Sequence, residues 1–179
     1  MLLYLFTLEE AGKALYGAEI VPAGVLYLPA RDAVVAGSRS MTEAERRKKA
    51  DAELRRRGLV LDEPEVLAAM ERTDGEGMRF LPVRLNRAGA VTGEALVSAE
   101  RLGKLAKHTG RILREIGTEL AAGNIAADPF WRGPEHNACQ WCAYAAACHF
   151  EEGKGGDRKR WLPAVKGEAF WEAVAQEQG

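Results

Sequence analysis

Cys139-Gln-Trp-Cys142-Ala-Tyr-Ala-Ala-Ala-Cys148 holds every cysteine of the chain, a CxxC pair followed after five residues by a third cysteine. Two thiols separated by a two-residue turn can occupy neighbouring corners of one metal ion or cluster, and a third nearby makes a trithiolate site that lacks one ligand. Two completions are open. A histidine can supply the fourth group, with His136 and His149 flanking the run, to give a Cys3His zinc site; or a fourth cysteine outside this chain can close an iron–sulfur cluster. Inert buried thiols are the plain alternative, and the alanines at 143 and 145–147 would suit them. Gathering all three thiols within ten residues, beside Trp141 and Tyr144 that could shield inorganic sulfide, argues for ligation. An odd count with no cysteine elsewhere argues against a disulfide and for a reducing, cytoplasmic setting.

Working outward, 179 residues with 47% apolar content can bury one sizeable core, or a core with an appendage. Lys and Arg number 25 against 26 Asp and Glu, a net charge of −1, so any contact with nucleic acid must come from local patches. The chain shows no internal repeat and no low-complexity stretch.

Upstream of the cysteines, Ser98 is a plausible N-cap for a helix that runs to Ala122, where Gly123 and Asn124 stop it. Leu102, Leu105, Ile112, Leu113, Ile116 and Leu120 recur at helical spacing and are expected to face the core. Arg101, Lys104, Lys107, Arg111 and Arg114 recur on the other side, with His108 beside them. A basic stripe of this kind is either a solvated face or a track for phosphates, in which each cation displaces condensed counterions.

Earlier still, Glu19 to Arg31 reads as a strand centred on Val25 to Leu28 between Pro22 and Pro29. Ser40 and Thr42 signal the start of a highly charged helix extending to Arg57 and closed by Gly58, a solvated lid or insertion with seven basic and four acidic residues. A short helix follows Pro64, then a strand over 80–85, a turn at Asn86–Gly89 and a returning strand to Val97. The start, Met1-Leu-Leu-Tyr-Leu-Phe-Thr-Leu8, is apolar without a capping residue and reads as a core helix entered in mid-element. It lacks a basic n-region and is too short to span a membrane. Beyond the cysteines, a charged loop at 153–160 precedes a final amphipathic helix around Phe170, Trp171 and Val174.

The order of these features carries a resemblance. Leu-Leu-Tyr-Leu, then Val21-Pro-Ala-Gly-Val-Leu-Tyr-Leu28, a charged helix, the long helix ending Ala122-Gly-Asn-Ile-Ala-Ala-Asp-Pro129, and the three cysteines together resemble the C-terminal end of AddB-type subunits of the AddAB helicase–nuclease. That family carries a RecB-family PD-(D/E)XK nuclease domain stapled by a 4Fe-4S iron–sulfur cluster. The resemblance implies an α/β fold: the helix-rich distal fragment of a RecB-like nuclease, residues 1–129 with a charged helical insertion at 41–58. It implies an iron–sulfur segment at 130–150 and a charged loop with a C-terminal helix at 151–179. Cys139, Cys142 and Cys148 would be three of four cluster ligands, the fourth cysteine lying upstream of the nuclease core. Tyr4 matches the tyrosine of the family's QxxxY motif, whose glutamine would precede Met1.

On that resemblance the catalytic carboxylates and their Mg²⁺, held by an Asp and a D/E-x-K pair on adjacent strands, are expected upstream of this chain. Metal-assisted phosphodiester hydrolysis needs those groups to hold the ion that activates water. The chain alone is therefore expected not to cut DNA, and its partners are expected to be DNA and an AddA-type helicase subunit, with no membrane contact. Asp157-Arg-Lys159 and Glu152-Gly-Lys154 match D/E-x-K as text, but both lie in a Gly-rich loop where the carboxylates would be solvated. The competing expectations are a non-enzymatic Cys3His zinc module that binds nucleic acid through the 101–114 stripe, and a scaffold piece with neither metal nor DNA contact.

Overall fold

A computed structural model of the chain describes residues 1–72 and 78–176. They form six helices and seven short strands, an α/β structure in two compact units, residues 1–106 and 107–179.

In the first unit, β1 (Gly24–Tyr27) pairs antiparallel with β2 (Arg57–Leu61), and β2 pairs parallel with β5 (Leu96–Val97). A second ladder joins β3 (Arg84–Leu85) to β4 (Val91–Thr92) around a turn in which the Asn86 side chain accepts from the backbone N–H groups of Ala88 and Ala90. The core is Val60, Leu67, Leu81 and Val83, with Leu26, Met70, Met78, Val91, Ala95 and Leu96 packed around it. Leu67 comes from α3 (Pro64–Met70), which begins with a proline, tolerated there because first-turn N–H groups have no intrahelical acceptor to lose.

The charged helix α2 spans Glu43–Glu53. Thr42 caps it: the hydroxyl accepts from the Glu45 N–H at 3.3 Å and the Glu45 carboxylate accepts from the Thr42 N–H at 2.9 Å, a complete capping box. The helix does not continue to Arg57. It ends at Leu54, and the arginine run turns into β2, the middle strand of the three-stranded sheet. Gly58 is thus no helix cap. Its φ of +140° and the crowding across the ladder explain the glycine, because a Cβ there would lie 1.9 Å from the Val25 carbonyl oxygen. Gly24 plays the same part on β1, at φ +140° with the Leu59 carbonyl oxygen 2.4 Å from a Cβ position.

Two loops in this unit are tied by side chains. The Glu71 carboxylate accepts from the backbone N–H groups of Arg79 at 2.6 Å, Phe80 at 3.1 Å and Leu81 at 2.8 Å. From the other side the Arg55 guanidinium donates to the carbonyls of Leu81, at 2.9 Å, and Val83. Leu81 and Val83 are fully buried, so these two charged residues satisfy backbone groups of a core segment that is not itself a strand.

Two core expectations are corrected. Helix α1 (Leu2–Tyr16) forms, but its only buried residue is Gly12, which packs so closely on Ile20 that a Cβ would clash at 2.6 Å. Leu3, Tyr4, Leu8 and Leu15 are exposed. Helix α4 (Ala99–Ala121) starts as the Ser98 signal indicates, the hydroxyl accepting from the Arg101 N–H at 3.2 Å, and closes at Gly123 with φ +71°. Leu102 and Leu105 are buried, whereas Ile112, Leu113, Ile116 and Leu120 are 38–71% exposed. Periodicity reported an amphipathic helix correctly. It could not report that the second half of its apolar side is left partly exposed, increasingly so toward Leu120.

The second unit is built on β6 (Phe130–Trp131), which pairs parallel with β7 (Arg160–Trp161). On its other edge the Ala138 N–H donates to the Phe130 carbonyl at 3.0 Å and the Arg132 N–H to the His136 carbonyl at 2.9 Å. Trp131 and Trp161 meet edge to face, with centroids 6.3 Å apart. Helices α5 (Ala145–Cys148) and α6 (Gly167–Gln176) complete the unit. No described helix is long and apolar enough to cross a membrane.

Candidate functional site

The cysteine segment hangs from β6. One residue after Ala138 pairs with Phe130, Cys139 enters a turn fixed by Asn137, whose side-chain oxygen accepts from the N–H groups of Cys139 at 3.0 Å and Gln140 at 2.9 Å. The Asn137 amide in turn donates to the carbonyls of Gly133 at 3.0 Å and Pro134 at 2.8 Å. The CxxC turn then closes on itself: the Cys142 N–H donates to the Cys139 carbonyl at 3.2 Å, and the Ala145 N–H to the Cys142 carbonyl at 3.3 Å. Cys148 ends α5, its N–H donating to the Tyr144 carbonyl at 2.9 Å, and the chain leaves through His149 at φ +51°.

All three thiols are free; Cys139 is half-buried and Cys142 and Cys148 are exposed. Among the described residues no three Cys, His, Asp or Glu groups stand close enough together to hold a metal ion, so neither a closed trithiolate nor a Cys3His set with His136 or His149 is gathered. The donor chemistry and the local backbone nonetheless suit a thiophilic metal: a CxxC turn held by its own hydrogen bonds, opened by an Asx turn, with a third thiol one helical turn beyond. Trp141 and Tyr144, expected to shield the site, are 88% and 77% exposed.

The two D/E-x-K matches resolve into loop chemistry. The Asp157 carboxylate accepts from the Glu151 N–H at 3.3 Å and its backbone pairs with Gly153 and Lys154 across the turn. Lys159 bridges to Glu152 at 2.7 Å and lies over the Trp131 ring at 4.5 Å; Lys154 bridges to Glu151 at 2.6 Å. These carboxylates organise a surface loop.

Of the basic stripe, Lys104 bridges to Glu100 at 2.6 Å, and that hydrogen bond is the main reason the Glu100 carboxyl sits below its ordinary range. Arg111 pairs with Glu115 and approaches His108 Nδ1 at 3.5 Å, and Arg101 is engaged as well. Lys107 and Arg114 project into solvent. Two of the five stripe residues, Lys104 and Arg111, are thus in intrahelical ion pairs of the i,i+4 kind. Tyr4 is 72% exposed on α1. Among the described residues, none of the seven strands carries an Asp or a Glu.

Sequence reasoning missed Asn137 and the small ladder that hold the cysteine turn, although an Asn two residues before the first Cys is an Asx-turn signal. It also missed a cleft lined by Tyr27, Arg31, Glu53, Arg55, Arg56 and Arg57, since its parts come from two separated stretches.

No family model matches the chain. Individual proteins do. It is 33% identical over 180 residues to the B subunit of the ATP-dependent helicase/deoxyribonuclease of Symbiobacterium thermophilum, a match covering 100% of this chain and 15% of that protein. The chain is a relative of helicase/deoxyribonuclease B subunits. The B subunit of Desulforudis audaxviator is 31% identical over 172 residues, covering 96% of the chain and 15% of the relative. That of Thermoanaerobacter pseudethanolicus is 28% identical over 179 residues, covering 99% and 15%. The B-subunit likeness therefore extends over the whole chain, both units and the cysteine segment included, while the chain spans about 15% of the length of these relatives.

Proposed function

We propose that this chain is the C-terminal part of a helicase/deoxyribonuclease B subunit, the distal piece of a RecB-like PD-(D/E)XK nuclease fold, and that its task there is to close and anchor the domain. The likeness to B subunits over the whole of this chain, through the CxxC-x5-C segment, is the observation that carries the reading. In that role the parent protein would process broken DNA ends for recombinational repair together with a helicase subunit, in the cytoplasm. Cys139, Cys142 and Cys148 would hold a 4Fe-4S cluster with a fourth cysteine from elsewhere in the parent. Such a cluster ties segments distant in sequence, so its binding free energy becomes folding free energy for the region it closes. Cleavage would belong to Mg²⁺-binding carboxylates elsewhere in the parent, a division of labour favoured by described strands here that carry no acid.

The test is anaerobic purification of the full-length B subunit with iron, sulfide and zinc analysis and a visible spectrum. About four irons and four sulfides per chain, with a broad visible band that vanishes in Cys142→Ala and Cys148→Ala, is the expected result. One tightly held zinc, lost in His136→Ala or His149→Ala, would replace the cluster with a Cys3His site and overturn the iron–sulfur assignment.

A further inference from the structure

Positive charge gathers where β1 ends and α2 gives way to β2. A cleft of about 480 Å³ there is lined by Arg31, Arg55, Arg56 and Arg57 with Glu53 as its acid, a local excess of three positive charges on a chain whose net charge is −1. Not all four guanidiniums are available. Arg31 pairs with Glu53 at 3.0 Å, which uses the one carboxylate in the cleft, and Arg55 is committed to the Leu81 and Val83 carbonyls. Arg56 and Arg57 form no ion pair among the described residues. Arg56 is steadied over the Phe80 ring at 6.0 Å, and Arg57 is exposed directly across the ladder from Tyr27.

Tyr27 is the second element. It is 58% exposed at the end of β1, so its ring packs no core, and opposite an antiparallel partner its side chain leaves the same face of the sheet as Arg57. Tyr27 and Arg57 are mounted on paired strands whose close approach Gly58 permits, and Arg56 stands just before the second of them, its N–H donating to the Phe80 carbonyl at 2.9 Å, so the backbone that carries the group is fixed before any ligand arrives. Planar guanidiniums that match phosphate oxygens, next to an open aromatic face on which a base or sugar can stack, are the two components of sequence-independent strand binding. Compensation of the α2 C-terminal dipole would explain one cation, but not a pair with an open aromatic neighbour.

We propose that the Tyr27–Arg56–Arg57 cleft seats the sugar–phosphate backbone of a DNA strand, a contact that rests on the B-subunit reading above. Arg56 and Arg57 bind phosphates, Tyr27 supplies the stacking face, and Arg31 with Glu53 forms the rim.

The experiment uses the full-length B subunit and fluorescein-labelled single-stranded and blunt duplex oligodeoxynucleotides, with affinity measured across a salt series. Arg56→Gln with Arg57→Gln should lower the slope of log K against log salt by about one and a half units, two contacts' worth, while the melting temperature stays that of the wild type. Tyr27→Ala should weaken single-strand binding by roughly tenfold and Tyr27→Phe should restore it, because the ring and not the hydroxyl stacks. A wild type that binds DNA alongside a double variant with an unchanged slope overturns the proposal and leaves the B-subunit reading intact. Loss of assembly with the helicase partner at an unchanged slope assigns the cleft to a protein contact and also overturns it. A wild type without DNA affinity removes the underlying reading, and the cleft assignment with it.

Discussion

The Asn137 side-chain oxygen stands 3.0 Å from the Cys139 backbone nitrogen, and that hydrogen bond joins the β6 ladder to the cysteine turn. The same amide also accepts from Gln140 and donates to Gly133 and Pro134, so one side chain fixes the approach to CxxC from four directions. Asn137→Ala should therefore release the turn without touching a thiol. In the full-length B subunit, on the cluster proposed above, the iron bound per chain should drop and the thiols should react faster with a thiol reagent, whereas Asn137→Asp, which keeps the accepting oxygen, should retain most of the iron. Unaltered metal content in Asn137→Ala would show that the turn is held by the thiolates alone.

The capping box of α2 makes a pH-dependent prediction. Backbone and side-chain hydrogen bonds from Thr42 hold the Glu45 carboxyl below its ordinary range. A carboxylate whose folded pKa is depressed gives its full support above the unfolded carboxylate range and loses it as pH falls through the lower folded value. Hydrogen exchange of the first-turn amides of α2 should accordingly rise, relative to the rest of the first unit, as the solution is acidified past about pH 4. Thr42→Ala should lose about 1 kcal/mol of stability and abolish that acid-dependent step.

Glu71 offers a sharper loss. Its carboxylate is the partner of three consecutive backbone N–H groups, the last of them on fully buried Leu81. Glu71→Ala strands those donors and should cost about 2–3 kcal/mol in denaturant unfolding, with Glu71→Gln intermediate because one amide oxygen can still accept. An effect below about 0.5 kcal/mol for the alanine would mean that water replaces the carboxylate at no cost.

The loop that imitates a catalytic motif gives a negative control. The 179-residue chain should show no Mg²⁺- or Mn²⁺-dependent cleavage of DNA, and Asp157→Ala should change only the local turn that Asp157 closes with Glu151 and Gly153. Metal-dependent cleavage that disappears in Asp157→Ala would transfer the active site to that loop.

The local signals of this chain were legible where one residue type has one physical use. Thr42 and Ser98 cap the helices they announce, Gly123 ends α4, and Pro64 opens α3. The CxxC spacing picked out the candidate segment but not what holds its turn, because Asn137 acts through a ladder whose two sides are visible only when Phe130 meets Ala138. The arginine run at 55–57 read as the end of a helix because Arg favours helices and Gly58 looks like a C-cap. Only Arg57 of that run enters a strand, and its pairing is with Tyr27 across the sheet, information no local window contains. The stripe Ile112, Leu113, Ile116 and Leu120 was read correctly as one side of a helix, and its exposure is a property of the neighbours, not of the helix. The Tyr27–Arg57 cleft was hidden for the same reason, its halves lying on strands that meet only in register.

Gly24 and Gly58 have a bearing on the gene as well as on the sheet. Glycine codons begin with two guanines, and any change at either base writes a side chain into the position or ends translation. At these two sites the added carbon would fall within 2.4 Å of a carbonyl oxygen on the facing strand. A missense change at either codon forces one of the paired strands to shift, whereas third-base, synonymous changes do not. A library built by random point mutation of this segment should return the two codons unchanged in amino acid, even where the flanking arginines and leucines drift.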